Sequence, residues 1–208
     1  MSNDFVASMR LLCYNEDIPQ KKDSIMIDLL ELHKMFIRTH LGEGGVAVDF
    51  TMGNGNDTEF LCRTVGESGR VYAFDIQADA VESTRARLEG CGFHNYTLIH
   101  DSHANVKEYV KEPIKAGMFN LGYLPGHGHH EVTTKRESTL AAVKAAIELM
   151  DKDAVLLVAV YPGHEEGRLE GEMLTEYFSG ISRFQLCVTK VRIVNSPTSP
   201  FFFVIETK

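Results

Sequence analysis

The chain has 208 residues, 44% of them hydrophobic and 24% charged, which is enough for one globular domain with its own core. Its formal net charge of -8 is opposite in sign to the basic footprint of most nucleic-acid binders, so an RNA partner would have to be met by a local patch. Cys13, Cys62, Cys91 and Cys187 stand far apart without a C-x-x-C pair, which argues against a zinc knuckle or a disulfide framework. No stretch approaches the roughly 20 apolar residues of a membrane span, and Met1 to Val6 lack the basic and apolar segments of a leader, so a cytoplasmic protein without a membrane partner is expected.

Residues 1–22 are expected to be weakly structured. Residues 24–40 place apolar side chains three and four apart behind Ser24, which can cap, and so predict an amphipathic helix. From Gly45 onward short apolar runs alternate with helical stretches. Val46 to Phe50, Val71 to Ile76, Tyr96 to His100, Met118 to Leu121 and Ala154 to Tyr161 read as strands. Asp57 to Val65, Ala78 to Leu88, Asn105 to Val110, Glu137 to Met150 and a stretch near Arg168 to Phe178 read as helices. This rhythm implies right-handed βαβ crossovers and a parallel sheet covered on both faces. Phe184 to Val194 and Phe201 to Glu206 are joined by Asn195-Ser-Pro-Thr-Ser-Pro200, too short for a helical crossover, so they should form an antiparallel pair. The expected fold is a single doubly wound α/β domain over residues 1–208, with seven strands, mostly parallel and ending in an antiparallel one.

The first strand runs into Thr51-Met-Gly-Asn-Gly-Asn-Asp-Thr58 and then a helix, the setting in which a glycine loop brings backbone amides to a nucleotide. The dinucleotide pattern G-x-G-x-x-G matches at Gly53 and Gly55, but Thr58 holds its third position, which weakens pyrophosphate binding. Asn54, Asn56 and Asp57 instead offer donors and acceptors for an ammonium and a carboxylate, the groups of an amino-acid tail such as that of S-adenosylmethionine. Asp75 closes the second strand, where an acid can accept from both ribose hydroxyls, with Gln77 two residues on. Asp101-Ser-His103 ends the third strand, which makes Ser102 and His103 candidate adenine contacts; the alternative at each is a capped helix or a polar strand end.

The fourth strand ends Met118-Phe-Asn-Leu-Gly-Tyr-Leu-Pro125, where a methyl acceptor would sit. It resembles the Asn-Pro-Pro-Tyr type motif of amino-group methyltransferases, keeping Asn120 and Tyr123 while Leu121 and Gly122 replace the prolines. That resemblance implies two catalytic positions. The Asn120 oxygen, with a backbone carbonyl, would accept from the target N–H groups, and the Tyr123 ring would pack on the acceptor. Polar groups around Asn120, with Asp101 a candidate, would favour the neutral amine.

Together Asp49 to Thr58, Phe74-Asp-Ile-Gln77, Asp101-Ser-His103, Phe119 to Gly126 and Tyr161-Pro-Gly-His164 resemble the bacterial tRNA 5-(aminomethyl)-2-thiouridine methyltransferase family, often labelled rRNA methylases, over about residues 24 to 208. The resemblance implies the class I methyltransferase fold and methylation of the exocyclic amine on a modified wobble uridine in the tRNA anticodon region. It also implies a homodimer, and cofactor contacts at Asn54, Asn56, Asp75, Gln77, Ser102 and His103. The chain departs from the family after Pro125, where Gly126-His-Gly-His-His-Glu131 replaces a Gly-Gly-Asp/Asn type turn. The histidine spacing there reads as a solvated turn, and no metal is expected. His164 either borders the acceptor pocket or is a turn residue. Competing readings are an rRNA or small-molecule amine methyltransferase, a nicotinamide-dependent dehydrogenase, and a catalytically silent cofactor-binding module.

Overall fold

A computed structural model describes residues 28–121 and 136–208. Helix α1 (Leu29–His40) leads into β1 (Val46–Asp49), followed by α2 (Asn56–Val65), β2 (Arg70–Asp75), α3 (Ala78–Gly90) and β3 (Tyr96–His100). A 3-10 turn (His103–Asn105) and α4 (Val106–Tyr109) precede β4 (Ile114–Leu121), and then come α5 (Arg136–Leu149), β5 (Met150–Val160), α6 (Glu165–Ser179), β6 (Cys187–Val191) and β7 (Phe201–Glu206). The seven strands lie in the order β3-β2-β1-β4-β5-β7-β6. The first five are parallel, and β7 runs antiparallel to both neighbours.

Alternation along the strands builds a core on each face of the sheet. In β5, Leu156, Val158 and Val160 join Phe50, Phe74, Phe119 and the α5–α6 side, while Val155, Leu157 and Ala159 join Ile37, Leu61 and Val65 on the α1–α2 side. In β7, Phe201, Phe203 and Ile205 face one way and Phe202 and Val204 the other. Both faces are covered, so these strands read as unbroken apolar runs.

The strands and helices expected from the sequence are present among the described residues, with the strand expected over Phe184 to Val194 confined to Cys187–Val191 and three further differences. Strand β4 begins at Ile114 rather than Met118, because Lys115 and Gly117 dilute the apolar signal of a segment that pairs with β1 and β5. Strand β5 begins at Met150, ahead of the charged Asp151-Lys-Asp153, and its pairing with β4 shifts register between Ile114 and Ala116. The antiparallel pair forms, but β7 inserts between β5 and β6, an order that hairpin length does not specify. Residues 1–22 and Ser24 to Ile27 lie outside the described residues.

Candidate active site

The chain crosses from β1 outward to β2 and β3, then returns past β1 to β4 on its other side, so a crevice opens at the C-terminal ends of β1 and β4. The glycine loop fills one side. Gly55 adopts φ 78°, and a Cβ there would lie 2.9 Å from Thr84 Oγ1, so no other residue fits this turn without strain. Asp75 holds the loop through both carboxylate oxygens, accepting from the backbone N–H of Gly53 at 3.1 Å and of Gln77 at 3.0 Å. Arg87 donates to the Asn54 carbonyl at 2.8 Å, and Asn56 opens α2 with its side chain exposed.

Beneath the loop lies a residue that sequence reasoning included only as the start of the loop motif, with no role of its own. Asp49 is 1% exposed, accepting from Thr58 Oγ1 at 2.6 Å and from the Thr51 N–H at 3.1 Å. Burial, with the charge of Asp57 adding to it, pushes the Asp49 carboxyl up to about 7. At the adenine edge, Ser102 caps the 3-10 turn by accepting from Ala104 N–H at 3.3 Å. His103 is buried against Phe119, with Nδ1 donating to the Phe50 carbonyl at 3.0 Å. Burial holds the imidazole neutral, so Nε2 is a bare acceptor, and it has no hydrogen-bond partner among the described residues. Ile76, between Asp75 and Gln77, is 56% exposed.

The acceptor edge is made of side chains. Thr51 Oγ1 accepts from the Asn120 backbone N–H at 2.7 Å, tying the loop to the end of β4. The Asn120 carboxamide donates from Nδ2 to Asp57 Oδ2 at 2.5 Å, and its Oδ1 accepts from the Tyr161 hydroxyl at 3.1 Å. Burial raises both Asp57 and Tyr161 above their ordinary ranges, so the phenol keeps its proton and acts as donor. Tyr161 follows β5 directly, and the turn after it is braced by His164, whose Nδ1 accepts from the Gly167 N–H at 3.1 Å to cap α6. A Cβ on Gly167 would come within 2.1 Å of the Tyr161 carbonyl, so only glycine lets the helix start so close to this strand end.

Residues 71–206 match the model of the family described as "Putative rRNA methylase". The chain belongs to this family. A crystal structure described as a "putative rRNA-methylase" from Clostridium thermocellum superposes with TM-score 0.86 at 36% identity, covering 89% of this chain and all, 100%, of that one. A "putative methyltransferase" from Streptococcus mutans in complex with SAH gives TM-score 0.80 at 35% identity, covering 88% of this chain and 100% of that one. The chloroplastic tRNA (mnm(5)s(2)U34)-methyltransferase of Arabidopsis thaliana is 36% identical over 169 residues, 76% of this chain and 61% of that protein. The chain therefore spans less than two thirds of that relative's length. The family is one of S-adenosylmethionine-dependent methyltransferases, with the fold expected from the sequence.

Family membership fits the charge of the site. Asp57 and Asp75 lie close to buried Asp49 and their charges help to raise its carboxyl, with Lys34 the cation that offsets Asp57. A cofactor bearing a sulfonium and an ammonium supplies the missing positive charge. Of the site residues expected from sequence, Asn54, Asn56, Asp75 and Gln77 lie on the loop and the strand end beside it. Ser102 and His103 lie on the next loop, and Asn120 is at the end of β4. Tyr123 and the histidines at 127, 129 and 130 lie outside the described residues. Asp101 is engaged in its own turn, accepting from Asn105, Tyr109 and the Ser102 N–H. Those bonds, Asn105 first, hold its carboxyl below the usual range, which makes it a weak base. No local pattern links Tyr161 to Asn120, 41 positions away.

Proposed function

We propose that the chain transfers a methyl group from S-adenosylmethionine to the exocyclic amine of an aminomethyl group on a modified wobble uridine of tRNA. The observation that carries this reading is the Asn120 carboxamide, held at the end of β4 beside the glycine loop with its nitrogen on a carboxylate and its oxygen turned the other way. An amide oxygen accepts from an N–H and so selects an amine over a hydroxyl-free carbon acceptor. The relative from Arabidopsis thaliana named for the wobble position, U34, supports the same substrate.

When bound, the cofactor supplies an electrophilic methyl group on its sulfonium. Asp75 retains lone pairs for the ribose hydroxyls beyond the two backbone amides it accepts from. Asn54, Asn56 and the open N-terminus of α2 suit the amino-acid tail. Exposed Ile76 offers an apolar face to the adenine, and His103 lies on the adjoining loop. Gln77 and Ser102 flank that position. Asn120 then aims the acceptor nitrogen. In-line attack needs reacting atoms at roughly 3 to 3.5 Å, and orientation of this kind supplies about 7 to 11 kcal/mol. Tyr123, by its resemblance, would pack on the acceptor.

An alkyl amine with a pKa near ~10 is neutral in about one molecule in a thousand at pH 7, a handicap of roughly 4 kcal/mol. With chemistry limiting, the rate should rise close to tenfold per pH unit between about pH 6 and 9. A flat profile would contradict an amine acceptor. The anticodon region of tRNA would be gripped by local cations such as Lys34 and Arg38, which both lie over the Phe60 ring. Exposed Met35, Phe184 and Val194, on α1 and around the terminal strands, suit a homodimer. No helix among the described residues is long and apolar enough to cross a membrane, and a tRNA substrate goes with a cytoplasmic site of action.

Nucleoside mass spectrometry of tRNA from a deletion strain tests the reading. Accumulation of the unmethylated aminomethyl nucleoside is expected, and an unchanged profile would overturn it.

A further inference from the structure

The Asn120 carboxamide has four hydrogen-bonding positions, two N–H donors and two lone pairs on Oδ1. Two are already used, at opposite ends of the group: Nδ2 on Asp57 and Oδ1 under the Tyr161 hydroxyl. The Asp57 Oδ2 accepts on the nitrogen side, and a protonated phenol with one donor to give faces the oxygen. The pair therefore fixes both which way round the amide sits and its rotation about the Cβ–Cγ bond. One lone pair of Oδ1 is left, in one direction.

Each partner is itself held. Asp57 lies in the first turn of α2, next to Thr58, whose hydroxyl is locked on buried Asp49. Tyr161 is fixed by the Tyr161-Pro-Gly-His-Glu-Glu-Gly167 turn, in which the His164 cap and the missing Cβ of Gly167 let α6 start against the Tyr161 carbonyl. Neither partner follows from the match of Asn120 to an amine-directing motif, because both come from other crossovers.

Resting on the reading of Asn120 as the amine acceptor, we propose that Asp57 and Tyr161 are positioning residues that hold its carboxamide so that the free lone pair of Oδ1 meets the substrate N–H. Tyr161 shares Oδ1 with the incoming amine and sets the angle at which the nitrogen lone pair reaches the methyl carbon.

The test is single-turnover transfer of labelled methyl from S-adenosylmethionine to tRNA from the deletion strain, with SAH affinity measured by calorimetry on the same preparations. Tyr161→Phe should lower the rate at saturating tRNA by about tenfold or more, and Asp57→Ala by about 100-fold, in line with the ~100-fold sensitivity of such reactions to misplacement. Asp57→Asn keeps an acceptor for Nδ2 and should recover to within about tenfold of the parent rate. SAH affinity should hold within about threefold in Tyr161→Phe, and in the two Asp57 variants should fall by much less than the rate.

If Asn120→Ala transfers methyl as well as the parent, the reading of Asn120 fails and takes the inference with it. If Asn120→Ala is inactive while Tyr161→Phe and Asp57→Ala match the parent, the inference alone fails. A loss of SAH affinity in Asp57→Ala as large as its loss of rate would assign Asp57 to the cofactor. Equal losses in Asp57→Asn and Asp57→Ala would assign it to charge. Either outcome overturns the positioning role.

Discussion

The two halves of the crevice are built by different means. On the cofactor side, polar side chains meet backbone: Asp75 takes the N–H of Gly53 and Gln77, Arg87 the Asn54 carbonyl and Thr84 the Gly53 carbonyl. On the acceptor side, side chains meet each other, in the run Asp57, Asn120, Tyr161. A loop held by backbone bonds needs a particular local spacing of glycines and one acid, so it leaves a pattern that can be read in the chain. A side-chain network needs only that three strand and helix ends converge, and leaves none.

The difference predicts how each half fails, and Asp75→Ala should have the largest effect on the cofactor side. Its oxygens accept from two amides, and bonds to a charged group contribute about 1.5–3 kcal/mol each. SAH binding should weaken by about tenfold to 1000-fold, read by calorimetry. A change confined to the rate at saturating cofactor would erase the division between the halves.

Gly167→Ala probes the acceptor side through packing alone. With a Cβ forced to 2.1 Å from the Tyr161 carbonyl, the start of α6 must shift. The cost should be about 1–3 kcal/mol, seen as a lower Tm, together with a lower rate as Tyr161 moves. Unchanged stability and rate would show that the turn does not fix Tyr161.

Glu170 gives the smallest and most conditional effect. It lies on α6 against α5, is 5% exposed, accepts from Thr139 Oγ1 at 2.7 Å, and burial pushes its carboxyl up to about 7. The folded state then binds its proton more tightly than the unfolded chain does. Stability from this group is present below its unfolded pKa of 4.5 and is lost as pH rises toward about 7. Glu170→Gln keeps the acceptor and cannot ionise, so its Tm should exceed the parent's at pH 8, with the gap closing toward pH 5. A gap independent of pH would mean that Glu170 ionises freely in the fold.

Much of the fold was legible for the same reason as the glycine loop. Runs such as Val46-Ala-Val and Ala154 to Val160 alternate between two buried faces, and the intervening helices set the crossovers. The place of β7 was not, because either edge of a hairpin can pair with β5 and its own pattern is the same in both cases. In the site, Asp75, Gln77 and the asparagines were legible from their distance to the glycines. Asn120 came from a short motif. Asp49 was hidden as the last residue of an apolar strand, and Tyr161 as the first residue after another. The alternative reading of Ser102 as a cap describes the hydrogen bond it makes in the folded chain, and His164, given the alternative of a turn residue, proves to cap α6.

The account turns on Asn120 presenting its oxygen to an amine. The most direct measurement is methyl transfer by the purified protein to tRNA carrying the unmethylated aminomethyl nucleoside, followed by nucleoside digestion and mass spectrometry, for the parent and Asn120→Ala. The account predicts a single added methyl on the aminomethyl nitrogen with the parent, and a rate at least about 100-fold lower with Asn120→Ala at unchanged SAH affinity. A methyl found on another atom, or equal transfer by the two proteins, would contradict it.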